Sequence, residues 1–260
     1  MRSVSSYSAL EMLGRVRLSR HFYFRDFLYS DIANYYGIPN IPDNPDLAIE
    51  TGTRLATDLL DPLVDTFGPI TLRSSYRSPA VNDLGNRKGH NCASNDANFA
   101  SHIWDYPDSE GRIGATACIS IPWFANQFEN GRDWRDLAWW IADHLPYSSM
   151  FFFPRLAAMN LTWSDRPKRQ ISSYIAPKGI LLRSGKDPGE DIAKRQERYR
   201  DFPAFNRFRG VFCRTISRRR TTPAALGSRD CRPWGGAGRG TARGGKPPSR
   251  QCRTGRSARH

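Results

Sequence analysis

Apolar residues recur at helical spacing in several parts of the chain. Residues 24–28 show an i, i+3, i+4 pattern, residues 46–67 repeat leucines at three- and four-residue intervals, and residues 133–145 place an apolar stripe behind Asp133, an expected N-cap. Pro62 lies inside the second stretch and predicts either a kink or the start of a new helical segment. A shorter helix is predicted over residues 31–36, with Gly37 as its end.

Short apolar runs predict strands. They cover residues 70–73, 113–122, 149–153, 160–163, 171–174 and 180–182. Residues 84–99 are rich in Gly, Asn and Ser without periodicity, which is typical of a long irregular loop. Because helices dominate the first part and strands the later part, with few β-α-β alternations, the sequence predicts an α+β fold. We expect N-terminal helices packed on a small, mostly antiparallel sheet.

The positive charge is concentrated at the C-terminal end. The formal net charge is +14, but residues 211–260 hold twelve Arg, one Lys and one acidic residue, whereas residues 1–210 hold 26 basic and 24 acidic residues. We therefore expect a loose leader over residues 1–17, one domain over residues 18–210 and a disordered Arg/Gly-rich tail over residues 211–260. Two further interpretations of the tail stay open: a basic arm that contacts nucleic acid, and an aberrant terminus such as out-of-frame translation.

Cysteine usage and hydropathy exclude some classes of protein. The five cysteines form an odd set without CxxC spacing, so a disulfide framework is not expected. The sequence shows no signal-peptide pattern and no uninterrupted apolar window of about 18 residues, so we expect no membrane partner. The compartment stays undetermined: cytoplasmic by default, or released by another route.

The most specific pattern follows the first predicted strand. Residues 74–82 read Ser-Ser-Tyr-Arg-Ser-Pro-Ala-Val-Asn. Pro79 disfavours the helical conformation at Ser78, so the strand is expected to deliver Arg77 to the end of the sheet, at a rim and not in the core. Taken alone, such a turn is more often a solvated strand end than a site.

Three motifs together resemble the zinc D-alanyl-D-alanine carboxypeptidases and their phage endolysin and Hedgehog-like relatives. They are Leu18-Ser19-Arg20-His21-Phe22, Leu60-Asp61-Pro62-Leu63 and residues 74–82, and the likeness covers roughly residues 18–183. The resemblance implies a Hedgehog/DD-peptidase-like fold, a phage or bacterial cell-wall context and a peptidoglycan peptide or other carboxylate-bearing ligand. It also implies substrate-binding roles for Arg77, Ser74 and Tyr76, with Arg77 clamping a carboxylate.

The zinc ligands that the resemblance implies are only partly present. The family has Ser-x-His, then Gly-x-Ala-Ala-Asp, then Trp-His; this chain has His102 at the first ligand position, Cys118 in place of the aspartate and Ser164 in place of the second histidine. A catalytic zinc needs about three protein ligands and an open position for water. The site is therefore either rebuilt or inactive.

A rebuilt site would draw on residues near these positions. We take His102, Asp105 and Cys118 as the metal-ligand candidates, with Asp108 and Asp165 as further carboxylates in reach. Against this, a cysteine in an apolar strand is more often a buried hydrophobe, and aspartates in such segments are more often turn formers.

Two functions follow from these observations. The first is a divergent, zinc-dependent carboxypeptidase-like peptidoglycan hydrolase, for which the sequence assigns no catalytic residue beyond the metal ligands. The second is a non-catalytic structural or binding homologue, a pseudoenzyme without a cofactor, that keeps the fold and the Arg77 cleft. Nucleic-acid binding is a third alternative that rests only on residues 211–260, because the rest of the chain is nearly neutral.

Overall fold

A computed structural model of the protein describes residues 4–185 and 191–205. The tail predicted over residues 211–260 lies outside these residues. The helices are α1 (Tyr7–Gly14), α2 (Asp31–Tyr36), α3 (Pro45–Leu55), α4 (Asp61–Phe67), α5 (Pro79–Arg87), α6 (Asn95–Asn98), α7 (Pro122–Glu129), α8 (Trp134–His144) and α9 (Ile192–Arg198). The strands are β1 (Thr71–Ser74), β2 (Gly114–Ser120), β3 (Ser149–Phe152), β4 (Met159–Ser164), β5 (Gln170–Ser173) and β6 (Gly179–Leu182).

The six strands form one sheet in the order β1-β2-β4-β3-β5-β6. All neighbouring pairs are antiparallel except β3 and β5, which run parallel. The α+β class and the mostly antiparallel sheet predicted from the sequence are confirmed. None of the helices in the described residues combines the length and the apolar character needed to cross a membrane.

The sheet has an apolar face and a more polar face. In β4, Met159, Leu161 and Trp163 are buried and alternate with half-buried Asn160 and Thr162, as the two-residue period of a strand requires. Helix α3 packs against β2 and β4. The opposite face carries polar side chains in its centre, and the candidate site lies there.

The helix predicted around Pro62 is divided as expected. Helix α3 leads into a π-helical turn (Ala56–Leu60), and α4 begins at Asp61 with Pro62 in its first turn, where the missing N–H of proline costs nothing. Gly37 ends α2 in a left-handed conformation with φ 65°. Asp133 caps α8 by accepting a hydrogen bond from the Arg135 N–H. These three predictions are confirmed.

The N-terminal residues differ from the loose leader expected over residues 1–17. Helix α1 lies inside this range, and the Ser6 hydroxyl caps it by accepting from the Ala9 N–H at 3.1 Å. Leu13 is fully buried in the main core. The helix has only eight residues, and its apolar residues are not confined to one face, since Tyr7 and Met12 are exposed, so the sequence shows no clear helical period there.

One other segment also differs from the sequence interpretation. The loop predicted over residues 84–99 contains the second half of α5 and all of α6, whose ends are capped by Ser78 and Ser94. Asn82 is fully buried and donates to the Ala93 carbonyl at 3.0 Å and the Asn95 side chain at 2.9 Å. Polar side chains of this segment are buried and form hydrogen bonds with one another and with the backbone. A search for apolar periodicity does not detect such a segment.

Candidate ligand-binding site

A cavity of about 590 Å³ lies between α2, the turn after β1 and the polar face of the sheet. Its lining includes four of the six residues proposed from the sequence: Ser74, Arg77, His102 and Cys118. Residues from distant parts of the chain therefore meet at one place. The other two, Tyr76 and Asp105, do not line it.

Arg77 is the cationic centre of the cavity. Its Nη1 atom donates to the Cys92 Sγ atom at 2.6 Å, and its backbone N–H donates to the His102 carbonyl at 2.8 Å. Its Nε atom is buried without a hydrogen-bond partner, and no carboxylate among the described residues pairs with the side chain. Burial lowers the pKa of Arg77, and the neighbouring Cys92 partly offsets that effect. The side chain is half-buried and not at an open rim as the sequence suggested.

The turn that carries Arg77 is held by buried hydrogen bonds. Asn40 accepts from the Ser78 N–H at 2.7 Å and donates to the Tyr76 carbonyl at 3.0 Å. Ser78 has φ −64° and ψ 156°, the extended conformation expected before Pro79, and it caps α5. These bonds fix the backbone on both sides of Arg77.

Tyr76 has a positioning role and not the ligand contact proposed for it. Its side chain is fully buried against Trp104, with ring centroids 5.8 Å apart. Its hydroxyl donates to the Asp105 Oδ1 atom at 3.2 Å. Burial and the adjacent carboxylate raise the pKa of Tyr76 far above its usual value. Tyr76 is thus packed in the core, whereas the next residue, Arg77, lines the cavity.

His102 reaches the cavity as a neutral imidazole. Its Nδ1 atom lies 2.8 Å from the Ser75 carbonyl oxygen, which can only accept, so Nδ1 carries the proton. Burial and the nearby Arg77 charge lower the pKa of His102 to about 3. The ring is 5% exposed, and its Nε2 atom is left without a proton.

Cys118 lies on the polar face of the sheet beside this imidazole. It pairs with Ser74 of β1 on one side and with Asn160 of β4 on the other. The thiol is half-buried. Burial raises its pKa, although Arg73 and Arg77 act in the opposite direction. The thiol form therefore predominates near neutral pH.

Asp105 is directed away from the cavity, which corrects its assignment as a metal-ligand candidate. Its Oδ2 atom accepts from the backbone N–H groups of Asp43 at 2.8 Å and Asn44 at 3.2 Å. Burial raises the pKa of this carboxyl, against the effect of the bonds that it accepts. Asp105 thus anchors the loop before α3.

The two further carboxylates also have local roles. Asp108 accepts from the N–H groups of Glu110 and Arg112, both at 3.0 Å, and so forms a turn. Asp165 accepts from the Ile113 N–H at 3.0 Å and joins the end of β4 to the start of β2. Neither lines the cavity.

The donor set does not fit a catalytic zinc ion. Of the three metal-ligand candidates only His102 and Cys118 line the cavity, and Asp105 is committed to backbone N–H groups. Within residues 4–185 and 191–205, no three His, Cys, Asp or Glu side chains are grouped so that they could hold a metal ion. A catalytic zinc needs about three protein ligands.

Sequence reasoning missed two polar residues of this site. Cys92 follows α5 in the segment expected to be an irregular loop, and nothing local indicates that it contacts Arg77. Asn160 was placed in a strand, and its alternation with Met159 and Leu161 indicates an outward side chain. Its position opposite Cys118 depends on strand register, which the sequence pattern does not give.

Comparison of the chain with protein-family models, with curated proteins and with solved structures gives no match. Any functional interpretation therefore depends on the geometry of the cavity and on the sequence motifs themselves.

Proposed function

We propose that the protein is a non-catalytic binding homologue of the D-alanyl-D-alanine carboxypeptidases, with a Hedgehog/DD-peptidase-like fold, that binds a carboxylate-bearing peptidoglycan peptide at Arg77. The observation that carries the proposal is a half-buried guanidinium facing a cavity with no carboxylate partner in the described residues. The three motifs that resemble those of that family support the choice of ligand.

The physical argument concerns desolvation. A guanidinium that has lost part of its hydration without gaining a counter-charge leaves the folded protein less stable than it would otherwise be. A ligand carboxylate placed against Arg77 offsets that cost and accepts charge-assisted hydrogen bonds from a planar fork. His102 adds no charge because its pKa is about 3. Arg73 and Arg77 line the cavity against one carboxylate among its lining residues, that of Asp31, so the cavity favours an anionic ligand.

The test is binding of a blocked peptide ending in D-Ala-D-Ala to the full chain, measured by calorimetry. We expect the free acid to bind at least tenfold more tightly than the C-terminal amide, since hydrogen bonds to charged groups contribute about 1.5–3 kcal/mol. Arg77→Gln should remove this difference. Arg15→Gln, at the exposed residue that follows α1 and pairs with Glu11, is the matched control. Equal affinity for acid and amide would contradict the proposal.

A zinc-dependent hydrolase is the second candidate, and it would need a further zinc ligand, because no three His, Cys, Asp or Glu side chains of the described residues are grouped to hold a metal ion. It is supported by the presence of His102 and Cys118 in the same cavity, and by the His102 Nδ1 contact with a carbonyl, an arrangement common among metal-binding histidines. Elemental analysis of the purified chain and of His102→Ala distinguishes the two candidates. Stoichiometric zinc that disappears in the variant, together with release of D-alanine, would favour the hydrolase over the binding protein.

A further inference from the structure

A second cavity, of about 410 Å³, adjoins the cavity around Arg77. It lies between β1, the end of α7 and the turn that joins β3 to β4. Its charged lining residues are Arg73, Arg155 and Glu129. Arg73 also lines the first cavity. The two cavities are therefore neighbours that share one cation.

The shared residue, Arg73, lies in a β-bulge on an outer strand of the sheet. Leu72 pairs with Ile119 and Ser74 pairs with Cys118, so two steps along β1 match one step along β2, and Arg73 is the extra residue. A bulge at the edge of a sheet changes the direction of the side chain that it carries and is common next to binding sites. The Arg73 side chain is exposed. The irregular pairing of β1 therefore presents this guanidinium where the two cavities meet.

The second guanidinium, that of Arg155, is carried by a turn in an unusual conformation. Leu156 and Ala157, which follow it, have φ angles of 55° and 45°. This left-handed region is costly for residues that have a Cβ atom, and such residues are concentrated at functional sites. The Ser120 hydroxyl of β2 donates to the Leu156 carbonyl at 3.2 Å, and Ala157 is buried. The turn that carries Arg155 is thus attached to the strand that pairs with β1.

The charges that line the second cavity are not balanced. Two guanidinium groups face one carboxylate, that of Glu129, so the lining keeps an excess of positive charge. Among the described residues, no carboxylate forms an ion pair with Arg73 or Arg155. The planar fork of a guanidinium matches the two oxygens of a carboxylate, which suits both arginines to an anionic group of a ligand.

We propose that Arg73 and Arg155 form a second carboxylate subsite, so that the ligand is a peptide with two carboxylates. The terminal carboxylate binds at Arg77, and a side-chain carboxylate of the same peptide binds at Arg73 and Arg155. This inference rests on the proposed function, because it takes the terminal carboxylate at Arg77 as given. It narrows the ligand class from a carboxylate-bearing peptide to an acidic one.

The test uses blocked hexapeptides that all end in D-Ala-D-Ala with a free C-terminus. A single Glu is placed in turn at each upstream position of an alanine background, and each peptide is compared with the one that has Gln there. Binding to the full chain is measured by calorimetry. At the position that reaches the subsite, we expect Glu to bind about three- to fivefold more tightly than Gln, a modest gain because both arginines are exposed. The gain should shrink as the salt concentration is raised.

Protein variants separate the second subsite from the first. Arg155→Gln should remove the preference for Glu and keep the preference for acid over amide, because Arg155 does not line the Arg77 cavity. Glu129→Gln should enlarge the preference for Glu, since it removes the carboxylate that competes with the ligand. Arg183→Gln, at an exposed arginine outside both cavities, is the matched control and should change neither preference.

The outcomes distinguish this inference from the function beneath it. If free acids bind more tightly than amides but Glu and Gln bind alike at every position, the second subsite is overturned and the Arg77 proposal stands. A preference for Glu that persists in Arg155→Gln overturns the second subsite as well. If acids and amides bind equally, the Arg77 proposal fails, and this inference, which needs both carboxylates, fails with it.

Discussion

The Nη1 atom of Arg77 lies 2.6 Å from the Sγ atom of Cys92, a residue fifteen positions further along the chain. The thiol in turn contacts the His90 carbonyl oxygen at 3.6 Å. The cation of the site is therefore oriented by a sulfur atom, and no carboxylate among the described residues pairs with it.

Cys92→Ala should destabilise the protein by about 1–2 kcal/mol. The substitution removes the only side-chain acceptor that Arg77 has among the described residues and leaves a buried donor unsatisfied. Cys118→Ala is the matched control, since this thiol lines the same cavity without bonding to the guanidinium. Urea unfolding of the two variants measures the difference. Equal losses would mean that the Arg77 contact adds nothing beyond the volume of the thiol.

Asp105→Asn should change stability by less than about 1 kcal/mol, whereas Asp105→Ala should cost about 2–3 kcal/mol. The amide oxygen can accept from the Asp43 and Asn44 N–H groups, and the amide nitrogen can donate to the Tyr76 hydroxyl, so only the alanine leaves buried groups unpaired. Burial raises the pKa of Asp105 in the folded protein. The favourable contribution of this carboxyl to stability is therefore present below the unfolded pKa near 3.8 and is lost as the pH rises through the folded pKa.

The asparagine variant should therefore lack this part of the pH dependence. Chemical unfolding at several pH values between 3.5 and 7 measures it in both proteins. Parallel curves for wild type and Asp105→Asn would show that the carboxyl titrates alike in the folded and unfolded states.

Elements with regular periodicity could be predicted from the sequence, and contacts between distant polar residues could not. The helix behind Asp133 follows from local spacing and is confirmed, and the strand predicted over residues 113–122 is present but shorter, over Gly114–Ser120, because α7 begins at Pro122. Arg77 could be identified from the sequence because Pro79 marks its turn and because residues 74–82 resemble a motif of the carboxypeptidases. The position of Asp105 was not predictable, because a short His-x-x-Asp spacing does not show that the aspartate turns back to the backbone of residues 43 and 44.

In the cavity, too, the direction of side chains could be predicted from the sequence, whereas the contacts between strands could not. Strand periodicity gives the outward direction of Cys118 and Asn160, but their pairing across β2 and β4 is a matter of register. The burial of His102 arises from packing of a loop against the sheet. No pattern in residues 84–106 has the apolar period that would have indicated it.

His102→Asn should flatten the decline of stability below pH 6.5. Burial and Arg77 lower the folded pKa to about 3, so the contribution of His102 is full above the unfolded pKa near 6.5 and is lost as the pH falls towards 3. In the wild type, His102 contributes at most about 1.4 kcal/mol per pH unit to the change of the free energy of unfolding with pH. Asparagine keeps a donor to the Ser75 carbonyl but does not titrate in this range.

The measurement is urea unfolding between pH 4 and pH 7. His144→Asn is the control, because its ring also contacts a backbone carbonyl, that of Trp140, at 2.8 Å and lies outside the cavity. A wild-type slope that persists in His102→Asn would contradict the assignment of a buried neutral imidazole.

Ser19→Ala should lower the free energy of unfolding by about 2 kcal/mol. The Ser19 hydroxyl donates to the Asp61 Oδ1 atom at 2.7 Å, and this carboxylate is 4% exposed, so the variant leaves a buried charge with one donor fewer. The bond joins the Leu-Ser-x-His-Phe motif to the Leu-x-Pro-Leu motif. Thermal unfolding measures this loss. Ser8 is exposed on α1, so Ser8→Ala should leave the free energy of unfolding unchanged in that measurement. Similar losses in the two variants would indicate that the motifs are not held by this bond.

Gly114→Ala should be the most disruptive single-methyl change near the site. A Cβ atom at Gly114 would lie 2.4 Å from the Ala100 carbonyl oxygen and 2.7 Å from the Trp163 carbonyl oxygen, and both are backbone atoms that cannot rotate away. The Ala100 segment is also held by its own N–H, which donates to the Tyr106 carbonyl at 2.9 Å. We expect a loss of about 3 kcal/mol or more, as in overpacked cores.

The same substitution should affect the cavity, because the displaced segment leads directly to His102. If the variant folds, its affinity for a free-acid peptide should fall with its stability, since the His102 carbonyl accepts from the Arg77 N–H. Gly14→Ala is the matched control: a Cβ atom there meets the nearest Arg25 atom at 3.4 Å, an ordinary contact. Thermal unfolding and peptide binding on both variants test the argument. Unchanged stability in Gly114→Ala would show that the loop and the sheet are not packed as closely as this structure has them.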